Sequence, residues 1–231
     1  HAAVAMRLAR YYDVHRYRSY ELAPALVAFR APFLAVIELA APDIANAYVT
    51  AGELLLDVAL LRSLDDYVGD AMSHQAMALI NRDESRHIAI DFHMTEVYAS
   101  DAYLAAKAQR PPPTWGHRAR TLAAVSRMLW FAQPFLQQVF LAPLDRTDPS
   151  GHRLKEALKR IQLIARKPTV ARLPLMRVML GAQELYLHPV AGPLLAKGLL
   201  RLLGAEARIA ARLYTEAELA RSQAMTFDEL A

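Results

Sequence analysis

Apolar residues along this chain recur at steps of three and four, and no stretch shows the sustained apolar/polar alternation of a half-buried strand. That period predicts helices from end to end, and a chain rich in Ala and Leu with only 8 glycines agrees with it. The expected fold class is all-α. The run YELAPALVAFRAPFLAVIEL ends at Ala41-Pro42-Asp43, and the next helix is expected to start with Asp43 as its N-cap and to run through IANAYVTAGELLLDVALLRSL. Ser63 to Asp66 read as a turn and cap, followed by a helix from about Asp66 to Tyr98. These last two helices are expected to form an antiparallel hairpin. Further on, QRPPPTWGHR at 109–118 carries three prolines that cannot continue a helix. The main boundary is placed there, with residues 1–108 as one unit. Residues 109–231 then form a second helical region that packs on the first or forms a dimer surface.

Composition sharpens this picture in three ways. At 231 residues and 55% hydrophobic, the chain is long enough to bury a substantial core. Its net charge of +4 conceals an asymmetry: residues 1–108 carry 9 basic against 14 acidic side chains, and residues 109–231 carry 18 against 9. Cysteine is absent, which excludes disulfides, iron–sulfur clusters and thiolate zinc sites and leaves His and carboxylate as the strong protein metal ligands. The chain also begins at His1, without an initiator Met, and is helix-like at once in AAVAMRLARYY. A fragment is therefore expected, with any targeting signal upstream.

The polar groups that interrupt the apolar pattern are concentrated in NRDESRHIAIDFHM, residues 81–94, which holds Asp83, Glu84, Arg86, His87, Asp91 and His93. Met77, Ile80, Glu84, His87, Asp91 and Met94 lie at helical steps on one face, so Glu84 and His87 are expected to enter the core together. Glu53 shares a mostly apolar face with Val49, Thr50, Leu56 and Leu60 and is expected to point inward from the neighbouring helix. An ionised carboxylate buried alone is strongly unfavourable, so two that face inward require a positive partner. A metal ion would supply it. Glu-x-x-His sets two ligands one turn apart on one side of a helix, and an antiparallel neighbour brings Glu53 to the same depth. Asp91 is expected to accept from the His87 imidazole or, in the favoured reading, to pair with a nearby Arg; His93 is expected to lie outside the site, and His74 to be solvated. Glu184 and His188, in QELYLHP, read as a helix end rather than a ligand pair.

A Glu on one helix followed by Glu-x-x-His on its partner resembles half of the ligand set of ferritin-like di-iron and di-manganese carboxylate proteins. The string DESRH is similar to the Asp-Glu-x-Arg-His motif of the p-aminobenzoate N-oxygenase family of di-iron oxygenases. The resemblance covers roughly residues 1–95. It implies a ferritin-like helical bundle, truncated at its N-terminus and extended by C-terminal helices. It also implies that Glu53, Glu84 and His87 are iron ligands, that Asp83 orients a ligand His on another helix, and that Arg86 pairs with a carboxylate. The first half-site, a further Glu and Glu-x-x-His, is not found before Glu53; His1 stands where the last His of that half-site would fall. Ile80 occupies a position at which these N-oxygenases carry an extra His, a departure that bears on arylamine N-oxygenation more than on the metal site.

The resemblance further implies two iron ions, with manganese as the alternative, O2 and a small organic substrate, an external electron donor and a cytoplasmic location. A homodimer is compatible with it. The alternatives are a ferritin-like iron or manganese protein without oxygenase activity, or a metal-free structural helical protein. Other chemistries lack their motifs: there is no glycine-rich phosphate loop, no Gly-x-Ser-x-Gly elbow and no His-Glu-x-x-His. The stretch HRLKEALKRIQLIARKPTVARLPLMR reads as a solvated basic face packed on the bundle, and no nucleic acid partner is expected. The most apolar segments, TLAAVSRMLWFAQPFLQQVFLAPL and HPVAGPLLAKGLLRLLG, are interrupted by polar residues, so no membrane span is expected.

Overall fold

Proline and short polar residues set the helix ends in this chain, and a computed structural model describes residues 2–15, 21–192 and 211–230. Helix α1 spans Ala2–Val14 and α2 Pro24–Leu39. Pro42 then occupies the first turn of α3, Pro42–Leu54, a position where its missing N–H would be unsatisfied in any case. The cap is Ala41 rather than Asp43. Asp43 instead lies fully buried in that first turn, where Lys107 donates to both carboxylate oxygens at 2.6 and 2.7 Å. The helix does not break at Ser63: it passes through a π-helical stretch, Leu55–Leu61, into α4, Arg62–Tyr67. Ser63 is buried, bonded to Leu60 O and Thr147 Oγ1 within the packed helix. The turn falls later, and α5, Ala71–Ala99, is capped by Asp70, whose side chain accepts from Ser73 N at 2.9 Å.

The α3–α5 pair is antiparallel, and one polar contact fixes its register. Asn46 Nδ2 donates to Thr95 Oγ1 at 2.9 Å and to Asp91 O at 3.3 Å. Two helical turns further along α3, and two turns back along α5, the pairing brings Glu53 opposite Glu84. The α3–α4 helix, Pro42–Tyr67, is long enough, and over its most apolar 18 residues hydrophobic enough, to cross a membrane, with a mean hydropathy of 1.5 in that stretch. Here its Ala47, Leu54, Val58 and Ala59 are part of the protein core.

After α6, Asp101–Ala108, the prolines at 111–113 do end the helix, and α7 restarts at Trp115 and runs to Phe135. Thr114 caps it by accepting from His117 N. A second π-helical stretch, Leu136–Leu141, leads into α8, Ala142–Thr147. Gly151, at φ 65°, turns the chain into α9, His152–Ala165. Leu154, Ala157, Leu158, Ile161, Ile164 and Ala165 form the inner side of α9 at steps of three and four. They join Val58 and Ala59 of the π-helical stretch, Ile88 and Phe92 of α5, and Phe140, Leu141 and Leu144 in one cluster. Side chains from both sides of the 109–118 connection thus build a single core.

A 3₁₀ turn, Val170–Arg172, leads into α10, Pro174–Leu187. The last described helices, α11 at Glu216–Ala224 and α12 at Phe227–Leu230, are tied back to α9. Gln162 bonds Ala211 O and Leu213 N, Lys159 pairs with Glu218 at 2.8 Å, and Lys167 donates to Ser222 O and Met225 O. Two basic residues of α9 are answered by carboxylates in addition to Lys159: Arg153 by Asp66 and Glu156, and Arg160 by Glu156. Within the described residues every regular element is helical, and there is no strand.

Candidate metal centre

The inner stripe of α5 runs through Ser73, Met77, Glu84, Ile88, Thr95 and Ala99, with Phe92 alongside. Glu84 sits in the middle of it and is therefore buried. His87, one turn on, lies at the edge of the stripe, and its side chain is 49% exposed. The expectation that Glu84 and His87 enter the core together is thus met by Glu84 alone. On α3 and its π-helical continuation the buried line is Ala47, Thr50, Leu54 and Val58, and Glu53 lies half-buried beside it, toward α5.

The donor atoms of Glu53, Glu84 and His87 all lie within 4.8 Å of one another. His87 Nδ1 is 3.1 Å from Glu84 Oε2. Burial pushes the Glu53 carboxyl up to about 7, helped by the charge of Glu84, a hydrogen bond to Glu84, and the charge of Asp91, with His87 acting in the opposite direction. A hydrogen bond between two carboxyl groups needs a proton on one of them.

Two further carboxylates extend the cluster along the seam between α3 and α5. Asp57, one turn after Glu53 in the π-helical stretch, has a fully buried side chain. Its Oδ2 accepts from Arg62 at 3.1 Å, while Oδ1 is buried and accepts no hydrogen bond. Burial raises its carboxyl against the lowering effect of Arg62, and Glu84 adds to the rise. Asp91, one turn after His87, is half-buried, and burial pushes it up to about 6 while His87 lowers it. It faces His87 and Glu53 rather than an Arg, and its Oδ2 is also buried without a hydrogen bond, as is Oδ1 of Asn81, one turn before Glu84. Buried polar atoms without partners are rare in folded proteins, and three of them beside one carboxylate pair fit a place for an ion or ordered water. Asp57 carried a sequence signal that spacing alone did not single out: it is the lone charge in LLLDVALL, one turn from Glu53.

The other candidates fall as follows. Asp83 and Arg86 pair with each other on the outer part of α5, at 3.2 Å and largely exposed. Arg62 pairs with Asp57 at 3.1 Å. His93 is exposed, on the side away from the site. His74 is half-exposed and bonds Asp65 Oδ1 at 2.8 Å. His188 follows the end of α10, and its Nδ1 accepts from Val190 N and Ala191 N, while Glu184 is exposed, 3.8 Å from Arg166. His1 lies outside the described residues. A groove of about 750 Å³ opens at the other end of α3, lined by Pro42, Ile44, Lys107, Arg110, His117 and Leu122 among others. Pro42 is eleven residues from Glu53, about 16 Å along the helix. Comparison of the chain with protein-family models, curated proteins and solved structures finds no match.

Proposed function

We propose that Glu53, Glu84 and His87 bind iron, with manganese as the alternative, and that the chain belongs to a ferritin-like di-iron carboxylate oxygenase acting on a small organic substrate. The observation that carries this reading is the convergence of two carboxylates and an imidazole within 4.8 Å on two antiparallel helices. The donor set fits a hard or borderline divalent cation, and the absence of cysteine leaves no thiolate to draw a softer one. The DESRH motif adds the similarity to arylamine N-oxygenases, which makes an arylamine the first substrate class to try.

Bound iron supplies the redox chemistry by which O2 is activated, with electrons from an external donor. The chain's own residues contribute charge and shape. Glu53 gives up its proton on metal binding, so binding releases protons and weakens as pH falls through the range where Glu53 titrates. His87 offers an imidazole nitrogen at the exposed edge. Asp57 and Asp91 add negative charge along the seam, offsetting the charge of a dication, and Arg62 holds Asp57 in place.

The test is elemental analysis of protein loaded anaerobically with ferrous iron, alongside a Glu84→Ala, His87→Ala variant. Iron that stays bound through gel filtration in the parent and is lost in the variant supports the site. Equal iron in both, or none in either, overturns it. A second reading, metal handling without substrate oxygenation, is favoured by the position of the groove at the far end of α3. Oxygen uptake separates the two: coupling to arylamine consumption supports the oxygenase, and uptake that tracks only ferrous oxidation supports metal handling.

A further inference from the structure

Helix α7 has 21 residues and none of them is buried, although it carries both tryptophans of the chain. Contacts with α2 fix which way it faces. Phe135 stacks on Phe29 with ring centroids 4.3 Å apart, and His117 Nε2 lies 3.1 Å from Leu39 O. His117 and Phe135 are five turns apart and share one side of the helix, so the side toward α2 is defined at both ends. On the far side, Trp115, Leu122 and Leu129 follow at seven-residue steps with Trp130 beside them, exposed by 82, 68, 44 and 79%.

The charge of the helix and of its flanking segments has one sign, with Glu38 of α2 the acidic group that shares the groove with Leu122 and Arg118. Between Asp101 and Asp145 the sequence contains no acidic residue, while Lys107, Arg110, Arg118, Arg120 and Arg127 fall within it. Arg118, Arg120 and Arg127 are exposed at the borders of the stripe, and none is in an ion pair among the described residues. Arg118 also packs over the Trp115 ring, 5.1 Å from its centroid.

We infer that the outer face of α7 docks on an anionic lipid surface. Trp115, Leu122, Leu129 and Trp130 sink to the level of the headgroups, and the arginines reach the phosphates. The combination of exposed Trp and Leu on one face, Arg at its borders and no carboxylate on the helix itself is what an in-plane interfacial helix requires. Trp115 and Trp130 lie about 22 Å apart along the helix axis, which suits an extended surface better than a pocket. A second copy of the chain is a poorer occupant: two-fold pairing of this face would set arginine against arginine with no carboxylate on the helix to answer them.

Because both tryptophans lie on this face, intrinsic fluorescence reads it without a label. The experiment adds the full chain to vesicles of phosphatidylcholine alone and to vesicles of equal parts phosphatidylcholine and phosphatidylserine, recording emission and co-sedimentation. The inference expects a blue shift and sedimentation with the mixed vesicles only. An Arg120→Glu, Arg127→Glu variant with unchanged circular dichroism is expected to bind them about tenfold or more weakly, each cation near such a surface being worth about 1 kcal/mol. A Trp115→Ser, Trp130→Ser variant is expected to sediment less as well. No sedimentation with either vesicle, or equal binding by the charge-reversed variant, overturns the inference. So does a blue shift that grows with protein concentration without lipid, which marks a second copy. A shift with polyglutamate but not with vesicles marks an acidic protein partner and overturns it too.

Discussion

Replacing Glu53 by Gln in the metal-free protein isolates the electrostatic cost of the cluster. The Glu53 carboxyl rises from 4.5 to about 7 in the folded protein, chiefly through burial and the nearby Glu84. The folded state therefore holds this proton more tightly than the unfolded state does. Stability from this group is fully present below about pH 4.5, declines between about pH 4.5 and 7, and is lost above that. At about 1.4 kcal/mol per pH unit the decline has a ceiling of about 3 kcal/mol. Glu53 is only half-buried, and solvent screening brings the expected effect to about 1–2 kcal/mol. Gln keeps the shape and a hydrogen bond without the charge. The variant is expected to match the parent near pH 4 and to exceed it by about 1–2 kcal/mol near pH 8, a rise of about 2–8 °C in Tm for a chain of this size. Urea unfolding followed by circular dichroism at both pH values measures it. A difference between parent and variant that is the same at both pH values refutes the reasoning. Ferrous iron then reverses the order: at a hundred times its Kd it adds about 2.7 kcal/mol to the parent near pH 8 and leaves the Gln variant unchanged. Equal stabilisation of both places the iron elsewhere.

Two further outcomes test the frame around the site. Lys107→Met leaves the buried Asp43 carboxylate without its cation and is expected to cost about 2–4 kcal/mol by urea unfolding, with Lys107 itself partly in water; the Asp43→Asn, Lys107→Met double variant recovers most of that loss, and a loss that persists in it assigns the effect to packing. Gly151→Ala forces an L side chain into the left-handed region at φ 65° and is expected to cost about 1–2 kcal/mol, whereas Gly151→Asn costs less; equal losses in the two would show that the backbone conformation is not the cause.

Much of the frame was legible in the sequence because its causes are local. The three- and four-residue period marks the helices, the prolines at 111–113 end one, and the distance from Glu53 to Glu84 matches one hairpin. The exact helix ends were less so. Asp43 has the side chain of a cap, but Pro42 had already taken the first turn, and Lys107, more than sixty residues away, made burial of Asp43 tolerable. Ser63 reads as a turn residue until Thr147 gives its hydroxyl a partner inside the packed helix.

By itself the sequence determined that the chain is helical and that Glu53, Glu84 and His87 share one level of an antiparallel pair, because helical period and chain length fix axial position. The tertiary structure decided how far each helix is rotated about its own axis. That rotation buried Glu84, left His87 at the edge, turned Asp57 and Asp91 into the seam, and left the tryptophans of α7 facing outward. It is set by how α9 packs against the π-helical stretch and α2 against α7, contacts between residues far apart in sequence, whose energies no local pattern encodes.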